Sequence, residues 1–288
     1  IEKYKKKHGD IRKLHEKVVI QMNDTHPTVA VPELMRLLID VEGLSWEDAW
    51  EVTSKTCAYT NHTIMAEALE KWPIDLFSKL LPRIYQIVQE IDRRFLIKVR
   101  EMYPGNEEKV RKMAILMNGQ VRMANMAIVA GFSVNGVAQL HTEILEKQEL
   151  KDFYQMMPEK FNNKTNGITF RRWLMSCNPE LSAMITELIG DGWKKDANEL
   201  EKLGNYVNDD AVLDRLLAVK AGKKADLKNY LNMKQGFDID ENSIYDIQVK
   251  RLHEYKRQQM NALYVIHKYF EIKEGKKPAT PILSLIHI

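Results

Sequence analysis

The feature that most constrains the fold is an apolar run, VVIQM at residues 18–22, that ends directly in the polar turn NDTHP at residues 23–27. A compact apolar run of this kind predicts a buried strand. A helix follows, with Pro32 suited to its first turn and Gly43 at its end. Ligands of α/β proteins bind beyond the carboxyl ends of strands, so the polar turn is a candidate site in an α/β fold.

Helical periodicity dominates much of the remaining chain. The clearest helix follows Pro82, carries apolar residues at steps of three and four, and stops at Pro104 and Gly105. Ser45 and Asp48 form a capping-box pattern before another helix. Further helices are predicted at residues 46–57, 121–130, 137–145, 179–189, 196–203 and 211–233.

A second candidate site is the basic stretch VKRLHEYKRQ at residues 249–258, which holds five cationic or imidazole side chains and one acid. Tyr245, Ile247 and Val249 alternate before it and predict one face of a half-buried strand, whereas helical spacing begins near Met260. A helix N-terminus already carries about half a positive charge, so added cations favour a bound anion. The pattern indicates a phosphate or carboxylate site, with a solvated basic turn as the alternative.

Composition excludes several classes of protein. The 43 basic and 40 acidic residues give a net charge of only +3, which argues against a nucleic-acid partner, and the basic opening at residues 3–17 is typical of a solvated surface. Cys57 and Cys177 are far apart, and the histidines lack ligand spacing, so neither a disulfide framework nor a metal site is predicted. The apolar run at residues 123–132 is too short to cross a membrane, and a cytoplasmic location is expected.

Three polar stretches share one composition of amide, hydroxyl and imidazole groups. Such groups match the hydroxyls of a sugar, and together with a phosphate cradle they suggest a sugar-phosphate ligand. The same residue types also cap helices and shape turns, so each stretch alone leaves that alternative open. The stretches are NDTH at residues 23–26, TNHT at 60–63 and NKTN at 163–166.

Together these stretches and the basic one resemble successive blocks of the α-glucan phosphorylases, the family of glycogen, starch and maltodextrin phosphorylases. The blocks occur in the family's order and at about its spacing, and the resemblance covers roughly residues 18–281. They are NDTHP at residues 23–27, KTCAYTNHT at 55–63, VNGVA at 134–138, NKTNGIT at 163–169, RRW at 171–173 and VKRLHEYKRQ at 249–258.

The resemblance implies a two-domain GT-B-type glycosyltransferase, here as an incomplete, helix-rich part spanning the domain junction. Residues 1–166 would be the later part of the N-terminal catalytic domain, and residues 167–288 the start of the C-terminal, cofactor-binding domain. Members transfer a terminal glucosyl unit from an α-1,4-glucan to inorganic phosphate, which gives glucose 1-phosphate with retained configuration. They use pyridoxal phosphate through its phosphate group, and the parent enzyme is expected to be a homodimer.

The resemblance also implies roles for individual residues in the first domain. His62 would lie against the glucosyl unit as a catalytic residue. Asn166 would form a hydrogen bond with a sugar hydroxyl. Asp24 and His26 would line the pocket beside the sugar.

The roles implied in the second domain concern phosphate. Arg251 and Lys256 would hold the substrate phosphate as catalytic residues, with Tyr255 close by. Lys250 would hold the phosphate of the cofactor. Trp173 would lie near the cofactor ring.

The chain departs from the family pattern at several points. The lysine that forms the Schiff base with the cofactor is expected beyond the last residue, so an internal fragment is predicted that is inactive alone and prone to aggregate. Residues 283–288 lack the glycine-rich turn expected there, and Phe170 stands where many members have proline. A non-catalytic glucan-binding protein is the alternative function. A nucleic-acid-binding module would need interleaved aromatic and basic residues, which are missing.

Overall fold

A computed structural model describes residues 1–65 and 69–285. The chain divides into two compact units, Ile1–Gly167 (unit 1) and Ile168–Ile288 (unit 2). Residues 286–288, the end of the segment that departs from the family pattern, lie outside the described residues.

Unit 1 contains helices and short strands, and the strands form a parallel sheet and a smaller antiparallel sheet. Its strands are β1 (Ile20–Asn23), β2 (Cys57–Thr60), β3 (Lys71–Pro73), β4 (Leu116–Met117), β5 (Gln120–Arg122), β6 (Val134–Gly136) and β7 (Phe161–Asn163). Its α-helices are α1 (Glu2–His8), α2 (Ala30–Arg36), α3 (Trp46–Thr56), α4 (Ile74–Leu80), α5 (Pro82–Met102), α6 (Glu107–Met113), α7 (Met123–Ala130), α8 (Gln139–Ile144) and α9 (Lys151–Met156). Turns of 3-10 helix at Ile11–Glu16 and Pro158–Lys160, and of π-helix at Leu37–Val41 and Leu145–Glu149, complete the unit.

The main sheet has the strand order β1-β2-β6-β7, and every neighbouring pair is parallel. Asn23 lies opposite Thr60, and Thr60 opposite Asn135. Because the strands are parallel, all four carboxyl ends lie at one edge of the sheet. The predicted α/β class is therefore confirmed, with a strand that begins at Ile20 rather than at residue 18.

The core follows the periodicity of the sequence. The helix predicted after Pro82 is α5, and its apolar stripe, from Ile84 to Val99, is buried. Strand β2 is buried along Cys57, Ala58 and Tyr59, as expected of a central strand covered on both faces. Ser45 Oγ accepts a hydrogen bond from Asp48 N at 3.1 Å, which confirms the predicted cap of α3.

One predicted helix begins later than the sequence suggested. Residues 120–122 form β5 in a three-stranded antiparallel sheet of order β3-β5-β4, and the helix α7 starts at Met123. Val121 pairs with Trp72, which is distant in the chain, and with Leu116, which lies across a turn. These pairings override the local helical pattern.

Unit 2 consists mainly of helices with one pair of strands. Its elements are a π-helical turn Arg171–Ser176, α10 (Pro179–Ile189), 3-10 turns Gly192–Lys194 and Ala197–Tyr206, α11 (Asp210–Gln235), β8 (Ile244–Ile247), a 3-10 turn Glu254–Lys256, α12 (Gln258–Lys273) and β9 (Ile282–Leu285). Strands β8 and β9 are parallel. The segment predicted as a helix at residues 196–203 is 3-10 helix instead.

The burial predicted beside the basic stretch is confirmed for Tyr245, which is half-buried, and is wrong for the other two residues. Ile247 and Val249, expected on a half-buried face, are 41% and 59% exposed, because only β9 pairs with β8 in the described chain. Helix α12 has the predicted spacing, yet Gln258 is its only buried residue among those described. Searched over the same residues, no helix is long and apolar enough to span a membrane.

Candidate functional site

Polar residues follow all four strands of the parallel sheet at one edge, here called the polar edge (residues 23–26, 60–63, 135–142 and 163–166). Asp24 and His26 follow β1, His62 follows β2, and Asn166 follows β7. The structure thus brings the four predicted sugar-binding residues to the same edge of the same sheet. Its position matches the usual ligand site of parallel α/β sheets.

Side-chain hydrogen bonds cross-link the strands beneath this edge. Gln21 Nε2 donates to Thr60 Oγ1 at 2.8 Å, and Thr60 Oγ1 donates to Asn135 Oδ1 at 2.8 Å. Thr142 Oγ1, in α8, lies 3.0 Å from Asn163 Oδ1 at the end of β7. Connected bonds of this kind restrict the loops that leave the strands, so the edge is preorganised.

Asp24 has a left-handed backbone conformation, with φ of 70°. Its Oδ1 atom accepts a hydrogen bond from Thr25 N at 2.7 Å, which is the local bonding that makes this conformation accessible to Asp. Thr25 is buried, and its hydroxyl donates to Glu70 Oε2 at 3.2 Å. The strand end is therefore turned sharply, with Asp24 half-buried and His26 exposed.

His62 is held by the residues around it. Its Nε2 atom contacts Asn23 Oδ1 at 2.5 Å, across the first two strands of the sheet. The preceding residue, Asn61, is buried, donates to the hydroxyl of Tyr59 at 3.0 Å and accepts from Thr63 N at 3.0 Å. Burial raises the pKa of Tyr59, so its hydroxyl remains protonated.

The basic turn of unit 2 (residues 248–258) connects β8 to α12. Lys256 ends the 3-10 turn, and Arg257 has φ of 58° as the residue that precedes α12. A cavity of about 460 Å³ opens here. Its lining comprises Gln248, Lys250, Tyr255, Lys256, Arg257, Met260, Asn261 and Tyr264.

Three of the predicted phosphate-site residues, Lys250, Tyr255 and Lys256, thus share one cavity. Arg251 is exposed and is not in its lining, and Trp173 is 63% exposed on the π-helical turn. Lys256 Nζ lies 4.8 Å from the centroid of the Tyr255 ring, a cation–π contact.

The basic turn carries positive charge that acids of the described chain do not neutralise. In those residues Lys250, Arg251, Lys256 and Arg257 form no ion pair with a carboxylate. Helix α12 adds the positive end of its dipole, and no side chain caps its first turn. Cations together with exposed backbone N–H groups can bind a phosphate.

Sequence reasoning missed the residue that fixes this turn. The amide of Gln258 donates to the carbonyl oxygen of Arg251 at 3.0 Å and accepts from His253 N at 3.4 Å. Gln258 is 8% exposed, whereas its neighbour Gln259 is exposed. No local pattern separates these two glutamines, and the one available signal is that the block VKRLHEYKRQ includes Gln258 and ends before Gln259.

A larger cavity in unit 1, of about 900 Å³, contains none of the predicted site residues. Its walls include Trp46, Trp50 and Phe95, and two of its basic side chains, Arg93 and Arg94, form ion pairs with Glu90 and Glu47. Size alone does not identify a site. The smaller cavity and the polar edge are preferred because the residues predicted to bind a ligand converge there.

Comparison with known proteins identifies the family of the chain. The family model for carbohydrate phosphorylase matches residues 1–287. Glycogen phosphorylase of Bacillus subtilis (strain 168) is 50% identical over 274 residues, which cover 95% of this chain and 34% of that protein. Maltodextrin phosphorylase of Streptococcus pneumoniae is 51% identical over 276 residues, covering 96% of this chain and 36% of that protein.

A mammalian relative gives the same result. The muscle form of glycogen phosphorylase from Oryctolagus cuniculus is 51% identical over 262 residues, covering 90% of this chain and 31% of that protein. The chain spans about a third of the length of the curated relatives it matches. The resemblance seen in the motifs is confirmed along the whole alignment, and the chain belongs to the carbohydrate phosphorylase family.

Proposed function

We propose that the chain carries glucosyl-binding and phosphate-binding residues of an α-1,4-glucan phosphorylase. Such an enzyme transfers a terminal glucosyl unit to inorganic phosphate, giving glucose 1-phosphate. The observation that carries the proposal is the meeting of Asp24, His26, His62 and Asn166 at the carboxyl edge of one parallel sheet. The names of the relatives, glycogen and maltodextrin phosphorylase, support the choice of an α-glucan as substrate.

At the polar edge, hydrogen-bonding side chains match the hydroxyls of a glucosyl unit. The amide of Asn166 is exposed and can both donate to and accept from a hydroxyl. His62 is exposed and is oriented by Asn23, so its ring meets the sugar in a fixed direction. Asp24 and His26 add polar walls, and the strained backbone at Asp24 gives the loop one preferred shape.

In the basic turn, Lys256 and Arg251 are proposed to bind the substrate phosphate and to stabilise the charge that develops during transfer. A guanidinium can bind a phosphate through two parallel hydrogen bonds, whereas an ammonium acts as a mobile point charge. Tyr255 lies against Lys256 and limits the positions of its ammonium group. The fixed turn thus offers a phosphate several donors with little reorganisation.

Pyridoxal phosphate is the cofactor that the family implies. The residues present fit its phosphate group, since Lys250, Lys256 and Arg257 line one cavity without neutralising carboxylates among the described residues. Lys250 is proposed to hold that phosphate, and the exposed indole of Trp173 is available to a planar ring. When bound, the cofactor supplies a phosphate group that exchanges a proton with the substrate phosphate.

The finer architecture also belongs to this proposal. A GT-B-type arrangement with domains at residues 1–166 and 167–288 is supported by the two compact units, whose boundary along the chain falls between Gly167 and Ile168. Homodimeric assembly and a cytoplasmic location are further proposals that rest on the family alone.

A chimera tests the proposed activity. The segment of Bacillus subtilis glycogen phosphorylase that aligns with this chain is replaced by the chain, and glucose 1-phosphate release from maltodextrin and phosphate is measured. The chimera is expected to be active because half of the aligned residues are identical. Arg251→Ala is expected to lower kcat by about 10²–10³-fold, since it removes a charge-stabilising donor.

Lys277→Ala, which removes an exposed cation of unit 2 outside the basic turn, is the matched control and should retain the rate. A folded chimera that binds maltodextrin without phosphorolysis would favour the non-catalytic, glucan-binding alternative. An Arg251→Ala chimera with an unchanged rate would contradict the role given to the basic turn.

A further inference from the structure

A histidine outside the predicted site links the loops of the polar edge. His141 lies in α8, and its Nδ1 atom accepts a hydrogen bond from the backbone N–H of Val137 at 3.1 Å. The carbonyl oxygen of the same residue, Val137, accepts from the backbone N–H of Asn166 at 2.9 Å. The loop after β6 is thus fixed on one side by His141 and in turn holds the loop that carries Asn166.

This geometry specifies the protonation state of His141. An Nδ1 atom that accepts a hydrogen bond carries no proton, so the neutral ring has its proton on Nε2. A charged imidazole has protons on both nitrogens and cannot accept from Val137 N–H. Protonation of His141 therefore breaks the first bond of the chain that ends at Asn166.

The surroundings of His141 favour the neutral ring. Burial lowers its pKa, the backbone of Thr63 acts in the opposite direction, and His62 lowers the pKa further. Of the described residues, His62 is the one whose charge acts on this ring. His141 therefore lies beside the loop after β2 while it bonds the loop after β6.

We propose that neutral His141 is a positioning residue for the glucosyl site, which holds the loop of Asn166 in place through Val137. This inference rests on the proposed function, because it assigns to His141 the position of Asn166, a residue proposed to bind the sugar. His141 itself does not contact the substrate. Its effect passes through two backbone hydrogen bonds, from His141 to Val137 and from Val137 to Asn166.

Two amide variants of His141, to Asn and to Gln, separate this role from simple packing. In Asn, Oδ1 is as many bonds from Cβ as Nδ1 is in His, so His141→Asn can still accept from Val137 N–H. In Gln, the side-chain oxygen corresponds to Nε2, so His141→Gln retains size and polarity but loses that acceptor. A residue that served only to fill space would be replaced better by Gln than by the smaller Asn.

The experiment uses the full chain at micromolar concentration. Hydrogen–deuterium exchange is read at the amides of Val137 and Asn166, and maltoheptaose binding is measured by calorimetry. His141→Asn should retain the protection and the affinity of the wild type. His141→Gln should lose protection at both amides and bind maltoheptaose about two- to tenfold more weakly, since one net hydrogen bond contributes about 0.5–1.5 kcal/mol.

The pH profile adds a readout specific to the ring. Because its pKa is lowered below the ordinary value of 6.5, His141 stays neutral in the folded chain where an unfolded chain begins to take up the proton. The stability that neutral His141 gives to the loop through its bond with Val137 is therefore complete above pH 6.5, and it is lost as pH falls through the folded-state pKa of His141. Val137 protection should fall with it in the wild type and not in His141→Asn, which retains His62 and so controls for that residue.

The outcomes test the proposed function and the role of His141 separately. A wild-type chain that does not bind maltoheptaose contradicts the proposed function, while the exchange data alone still decide whether His141 holds the two loops. Unchanged Val137 and Asn166 protection in His141→Gln would overturn the inference. Equal loss in His141→Asn and His141→Gln would overturn it as well, because packing rather than the Nδ1 acceptor would then be responsible.

Discussion

A single buried amide determines the shape of the basic turn. Gln258 bonds the carbonyl of Arg251 and the N–H of His253, so it closes the turn on itself. Gln258→Leu retains the apolar stem but removes both bonds. Each net hydrogen bond contributes about 0.5–1.5 kcal/mol, so the loss of both should lower the affinity for inorganic phosphate by roughly 5- to 150-fold. Calorimetric titration of the chain with phosphate measures the change.

The neighbouring glutamine provides the control for this change. Gln259→Leu alters the same residue type one position along, at an exposed side chain, and should leave phosphate binding unchanged. Equal losses in both variants would mean that added apolar surface, rather than the amide of Gln258, weakens binding.

At the scale of residues, the sequence offers more on where candidate ligand residues lie than on which residues hold them in place. Asp24 follows the strand that the apolar run at residues 18–22 predicts, and strand ends are where ligands bind, so its location could be foreseen. His62 and Asn166 follow short strands that the sequence did not predict. Gln258 and His141 act through backbone atoms of residues several positions away. Such contacts depend on the path of the folded chain, which local patterns do not encode.

At the scale of elements, the junction of β6 and α8 depends on a missing side chain. A Cβ atom on Gly136 would lie 2.4 Å from Thr142 Oγ1 and 3.0 Å from the backbone N and Cα of Thr142. Gly136→Ala must therefore push α8 away from the sheet, at a cost of about 1–3 kcal/mol in the free energy of unfolding. Urea unfolding, monitored by amide exchange in unit 1, measures the loss of unfolding free energy.

Gly167→Ala is the matched control. No heavy atom lies within 4 Å of the added Cβ, and the backbone is not left-handed, so the free energy of unfolding should hardly change. Equal stability of the Gly136→Ala chain and the wild type would show that α8 can shift without loss, and the close approach would then have no role in positioning His141 and Thr142.

The elements also show what sequence patterns can and cannot supply. Helix α5 was predicted at its full length because its apolar stripe, Pro82 at its start and Pro104 after its end are all local signals. Strand β5 was read as helix because its identity comes from pairing with Trp72 and Leu116. Three residues are too few for a period-two pattern to outweigh the helical pattern that follows.

At the scale of the whole molecule, the α/β class could be predicted but the strand order could not. One buried apolar run that ends in a polar turn identifies β1, whereas β2, β6 and β7 are too short to give a pattern of their own. The order β1-β2-β6-β7 places β6 beside β2 across more than seventy residues, which include the separate antiparallel sheet. Nothing in the local pattern selects that neighbour.

The two units also differ in how well they cover their apolar residues. Unit 1 buries its α5 stripe, whereas α12 in unit 2 leaves Leu263, Ile266 and Phe270 at 58%, 50% and 58% exposed on one face. An exposed apolar face of this kind promotes association. We therefore expect the chain to self-associate through α12 as its concentration rises, as measured by sedimentation velocity.

Charged substitutions on that face should reverse the association. Replacing Leu263, Ile266 and Phe270 together by Glu, Lys and Glu removes apolar area without touching the basic turn, so the weight-average mass should fall towards that of one chain. The matched control substitutes Leu80, Ile97 and Met102, exposed apolar residues of unit 1, in the same way and should leave association unchanged. A wild-type chain that stays monomeric at every concentration would contradict the prediction. Equal effects of the two triple variants would show that α12 is not the specific contact, because general apolar exposure would then drive association.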